Sequence, residues 1–203
     1  MLDGVERGDP LDAASAALIG LGVSASLPAL DSAATREQAR RALAAGATAE
    51  QASETLMLVA GLGVHSLMEG ARDLQAVLEE RGEAESGPLD ERRRVLWEEH
   101  VGSDPYWEHF EAQVPGFLEV LLRQSPESFE AFFAICAVPW QMGKLSARTK
   151  ELIALATDSM PAHCYLPGVR IHVAGALKTG AGRQAIEEAI EIGAAAPEPG
   201  GVA

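Results

Sequence analysis

The sequence is poor in aromatics, in cysteine and in positive charge, and it has no long apolar run. Aromatic residues make up 5% of the 203 positions while hydrophobic residues as a class reach 47%, so alanine and leucine carry the apolar content. That mixture disfavours a sandwich or barrel and favours helices. Two cysteines, Cys136 and Cys164, are too few for a small secreted scaffold stapled by disulfides. Reduced thiols in a cytoplasm are the expected state. Sixteen Lys and Arg stand against thirty Asp and Glu, a net charge of −14. Such a chain lacks the cations that displace counterions from nucleic acid or bind an anionic membrane surface. No start resembles a signal peptide, and no stretch of about 20 apolar residues could span a bilayer. A soluble, cytoplasmic protein is expected, with neither nucleic acid nor membrane as partner. P-loop, dinucleotide and Gly-x-Ser-x-Gly fingerprints are also missing.

What is present is helical punctuation. Residues 1–10 are polar and are expected to fray. Asp12 is a candidate N-cap for a helix over 11–23, and residues 24–34 read as a looser segment. A helix over 35–45 stops at Gly46. Thr48-Ala-Glu-Gln51 forms a capping box for the next helix, with a break expected at Gly61-Leu-Gly63. Residues 82–90, GEAESGPLD, have linker composition. The aromatics concentrate after it, and Phe129, Phe132 and Phe133 read as core. Ser146 caps ARTKELIALATDSM, and a last helix covers 182–195. The division expected is a degenerate N-terminal repeat over 1–81, a linker over 82–90, a C-terminal repeat over 91–196 and a disordered tail over 197–203.

The word "repeat" rests on a gapless register that sets Leu11 on Leu145. Leu18 then falls on Leu152, Ile19 on Ile153, Leu21 on Leu155 and Arg36 on Arg170. Ala42-Leu43 falls on Ala176-Leu177, and Gly46-Ala47 on Gly180-Ala181. The same register sorts chemistry from scaffold. Arginine occurs in both copies, which favours a structural role for it. Gln38 stands opposite His172, Leu30 opposite Cys164 and Ala17 opposite Glu151. Reactive side chains in one copy alone point to the C-terminal half.

Within that half, residues 163–181 bring together Cys164, His163, His172, Tyr165 and Arg170. Pro167 suits a first helical turn and Gly180 a C-terminal stop. At about 100° per residue, His172 shares a flank with Gly168, Gly175 and Thr179, off the apolar face. Two helical glycines cost roughly 0.5–1 kcal/mol each, and they leave room for a ligand or another backbone beside His172.

The stretch LSARTKELIALATDSMPAHCYLPGVRIHVAGALKTGA resembles the carboxymuconolactone decarboxylase and alkylhydroperoxidase D-like family. The likeness lies in Leu-Ser-x-x-Thr-Lys-Glu-Leu-Ile, a turn, and a histidine helix ending in Ala-Leu-x-x-Gly-Ala. It implies an all-α helical bundle, here of two fused repeats, assembled as a homo-oligomer. Redox members carry Cys-x-x-Cys-x-x-x-His, but Tyr165 and Gly168 occupy those cysteine positions and Cys164 lies one residue outside the pattern. The decarboxylase branch, which needs neither CxxC nor cofactor, is the better relative.

The resemblance thus implies a cofactor-independent lyase or isomerase on a small carboxylated lactone or related carbonyl compound. His172 would be the acid/base, helped by Glu151 and His163. Arg170 could hold a carboxylate, although it lies about 160° round the helix from His172. Cys164, Tyr165, Gly168 and Trp140 are candidates for the substrate pocket, and core packing is the competing role for the two aromatics. No metal is expected, because His163, Cys164 and His172 make no recognised ligand spacing. Two other readings stay open: thiol-dependent peroxidase-like activity through Cys164, and a non-catalytic member that binds a small molecule or a protein.

Overall fold

The computed structural model describes residues 1–199, and among these the chain forms eleven helices and no strand. They are α1 (Ala13–Ala25), α2 (Ser32–Ala44), α3 (Ala49–Gly61), α4 (Val64–Arg81), α5 (Glu91–His100), α6 (Pro105–Gln113), α7 (Phe117–Gln124), α8 (Pro126–Gln141), α9 (Ala147–Asp158), α10 (Leu166–Lys178) and α11 (Arg183–Ala194). The all-α class is the one the composition predicts. Among the described residues no helix is long and apolar enough to cross a membrane. The chain divides into two compact units, Met1–Leu62 with the segment from Pro139 onward, and Gly63–Val138.

The first unit is built round α1 and α9. Both are buried along most of their length, over residues 17–24 and 152–158; α1 is apolar on every side, whereas α9 buries Lys150 and Asp158 as well. α1 packs against α2, α3, α9 and α11, and α9 also against α3, α10 and α11. The expected caps are in place. Asp12 accepts from the Ser15 amide at 2.9 Å and Ser146 from the Thr149 amide at 3.1 Å. Thr48 and Gln51 close the capping box at 3.2 and 2.9 Å. The loose segment predicted over 24–34 is shorter, because Asp31 caps α2 by accepting from the Ala34 amide.

Helix boundaries repeat at one spacing. Ala13 and Ala147, Ser32 and Leu166, and Ala49 and Arg183 each begin a helix and are each 134 residues apart. Backbone detail repeats with them. Among the described residues Leu30 and Cys164 are the non-glycine residues with positive φ, at 39° and 46°, and their amides donate to Ser26 O and Met160 O at 2.7 Å. Gly46 and Gly180 close α2 and α10 at φ 96° and 90°. Ser26 Oγ donates to the sulfur of Met160, its counterpart in the register, at 3.2 Å.

Residues 1–10 do not fray. Gly182 provides no side-chain cap for α11, so two of that helix's open amides use the N-terminal segment: Arg183 N donates to Glu6 O at 3.0 Å and Gln184 N to Arg7 O at 2.9 Å. Leu11 N donates to Glu188 Oε2 at 2.6 Å, and Arg183 also reaches Leu2 O. Residues 197–199 carry no helix, and 200–203 of the expected tail lie outside the described residues.

The second unit holds the aromatic core that the sequence suggests. Phe117, Phe129 and Phe132 are fully buried, and Trp107 packs edge-on to Phe110 and Phe133. The linker-like 82–90 lies inside this unit as the connection between α4 and α5. Its composition marks where a helix stops, whereas packing decides where a unit ends. Arg93 ties that connection down through Glu85, Asp90 and the carbonyls of Leu122 and Arg123.

Lys150 and Glu54 form an ion pair in the first unit at 2.7 Å, with side chains 4% and 0% exposed. Lys150 also donates to Met142 O, and Glu54 accepts from Lys144 N at 2.7 Å, so α3 is pinned to the start of α9. Lys150→Met strands a buried carboxylate and is expected to cost about 3–5 kcal/mol in urea unfolding. Adding Glu54→Gln should recover part of that loss; a cycle without coupling would mean that the pair contributes nothing.

Candidate functional site

Glu151 and Asp158 are seven residues apart on α9, two turns, so their side chains leave one stripe of the helix. Gly168 and Gly175 are likewise two turns apart on α10, with His172 four residues after one and three before the other. The two helices meet along these stripes. A Cβ on Gly175 would lie 2.3 Å from the Glu151 carboxylate, and one on Gly168 would lie 1.9 Å from Asp158 Oδ2. The room that the glycines leave beside His172 is therefore filled by two carboxylates of α9. No side chain larger than hydrogen fits at either position with those carboxylates in place.

The result is a compact polar cluster in an apolar helix pair. His172 Nδ1 and Glu151 Oε2 are 2.8 Å apart, and since a carboxylate only accepts, the ring N–H is the donor. His172 Nε2 faces Asp158 Oδ2 at 3.8 Å, and His163 Nε2 faces Asp158 Oδ1 at 3.5 Å. Side-chain exposure is 13% for His172, 15% for Glu151, 23% for His163 and zero for Asp158. Burial pushes the His172 imidazolium toward neutrality. The Glu151 hydrogen bond and the charges of Asp158 and Glu151 outweigh that, and the pKa lies above the ordinary 6.5.

The three residues suggested as catalytic, His172, Glu151 and His163, thus come together around Asp158. Gly168 joins them by admitting Asp158. Tyr165 is buried ahead of α10, where its amide donates to Asp158 O at 2.9 Å and its ring lies 5.9 Å from His163. Cys164 is exposed on a left-handed backbone, and burial drives the other thiol, Cys136, up to about 12. Arg170 is exposed, on the side of α10 away from His172. Lys150 Nζ lies over the Trp140 ring, 5.9 Å from its centroid, so Trp140 belongs with the Lys150–Glu54 pair. The two imidazoles approach different oxygens of Asp158.

Asp158 is the member that sequence reasoning missed. Two signals were available. An acid at the last position of a helix opposes the macrodipole, and its counterpart in the register is the neutral Ser24, whose hydroxyl bonds Gly20 O.

The sequence profile of the carboxymuconolactone decarboxylase family matches residues 126–198. A solved structure from Burkholderia xenovorans, described as a candidate γ-carboxymuconolactone decarboxylase subunit, is similar at 35% identity and a TM-score of 0.76. The match covers 90% of this chain and 71% of that one. No curated protein matches the sequence.

Two outcomes are expected. Because the folded pKa of His172 is raised, its contribution to stability is complete below the unfolded value and lost as pH rises through the folded value. Urea unfolding followed upward from about pH 6 should show that decline, and His172→Gln should remove it. Gly175→Ala must displace the Glu151 carboxylate, so the His172 pKa should fall in an NMR titration; an unmoved pKa would mean that Glu151 does not hold the ring.

Proposed function

The chain belongs to the carboxymuconolactone decarboxylase family, and we propose that it is a cofactor-independent lyase acting on a small carboxylated lactone or related carbonyl compound. The observation that carries this reading is the His172 imidazole set between two carboxylates. Glu151 fixes the ring through Nδ1 and leaves Nε2 as the proton-bearing atom on the other edge. Loss of a carboxylate from a lactone breaks the bond between carbon and CO2, and the electron pair passes into an enolate on the lactone carbonyl. CO2 leaves, and Nε2–H delivers a proton to the carbon. Neutral His172 then regains a proton from solvent.

The same reading takes the first unit as two fused copies of one three-helix motif. The common spacing of helix starts, positive-φ residues and glycine stops supports it. One copy kept or gained the acid/base set, and the other holds Gln38, Ser24 and Ala17 at the matching places. Assembly as a homo-oligomer belongs to the proposal too. The similar structure is described as a subunit, and Leu27 and Leu166 are 77% and 54% exposed.

The test is to incubate the protein with a panel of lactone carboxylates and follow CO2 release. His172→Gln keeps a hydrogen-bonding side chain but cannot supply the proton, so turnover should drop by about 10²-fold or more. Equal turnover by wild type and variant would remove the proposal.

A further inference from the structure

We propose that Asp158 is a positioning residue that keeps Nε2 of His172 protonated in the resting protein, so that the site enters its reaction as an acid. This rests on the decarboxylase-like reading for what the proton is used for, but not for its chemistry. Among the groups that face His172 are Glu151 and Asp158 from α9, with His163 from the following connection on the far oxygen of Asp158. A neutral imidazole has one N–H. With that N–H given to Glu151, a neutral ring would turn the Nε2 lone pair toward the Asp158 carboxylate at 3.8 Å. The cation instead turns an N–H toward it. Asp158 is fully buried, so water does little to screen this preference.

The backbone is arranged to keep Asp158 there. It ends α9, its carbonyl accepts the Tyr165 amide, and Gly168 at the start of α10 yields the space its carboxylate occupies. In the other half of the first unit the matching residues, Ser24 and Gln38, are uncharged. The substrates that fit such a ring are compounds whose carbon must receive a proton as a bond to it breaks. Compounds that must first lose a proton to the enzyme do not fit a ring that is already charged.

The test needs no substrate. In ¹⁵N-labelled wild type at about pH 7, both ring nitrogens of His172 should report as protonated. In Asp158→Asn, which keeps the shape against Gly168, the His172 pKa should fall by about one pH unit or more. Rescue should appear in neither Asp158→Ala nor Asp158→Ser. A ring that is neutral near pH 7 in wild type, or an unchanged pKa in folded Asp158→Asn, would overturn the proposal. If Asp158→Asn does not fold, the same pKa reading in Asp158→Ser decides: a fall supports the proposal and an unchanged value overturns it. Should the pKa fall as expected while no lactone is decarboxylated, the functional reading fails and this one stands.

Discussion

The approach of α10 to α9 is the constraint on which the site depends. At Gly168 and Gly175 the α10 surface has no side chains, and the volume is taken by the carboxylates of Asp158 and Glu151. Helix pairs are ordinarily filled by apolar side chains packed ridge into groove. Here two glycines on one stripe and two acids on the facing stripe replace part of that packing with charge. A histidine two turns deep in the same seam is the partner that makes the charge tolerable, because buried carboxylates need a hydrogen-bonding cation.

That seam is supported by a scaffold with little freedom. α9 is buried for most of its length, held by α1, α3 and α11 on its other sides. Its N-terminal turn is fixed twice, by the Ser146 cap and by Lys150 on Glu54. Its C-terminal end turns sharply through Cys164, whose left-handed backbone costs about 1–2 kcal/mol for an L-residue. The same turn occurs at Leu30, where no catalytic group is offered. The strain therefore belongs to the shape of the connection and not to the chemistry of the thiol.

On the proposed reading of two fused copies, one half could carry the acid/base set while the other does not. α1 packs on α2 and α3, α9 packs on α10 and α11, and α1 and α9 bury one another. Once the mutual burial of α1 and α9 stabilises the unit, the outer seams are free to diverge. In one, Gln38 lies against Gly20; in the other, His172 lies between two acids.

Sequence by itself determined the helical class, most caps and stops, and the aromatic core of the second unit; it offered Glu151 as a candidate partner of His172, and the packing of α10 on α9 brought the two within 2.8 Å. These follow from short-range rules: capping residues bond amides three positions away, and spacing along a helix fixes which side chains share a face. It did not reveal the role of Asp158, the docking of residues 1–10 or the place of the 82–90 connection within a unit. Each of those depends on what arrives from a distant part of the chain. Asp158 reads as an ordinary acid at a helix end until Gly168 and His172 fold back on it. The N-terminal segment looks free until the uncapped amides of α11 meet it. Tertiary structure decided these points because burial and charge pairing are properties of the packed seam, and no local pattern encodes them.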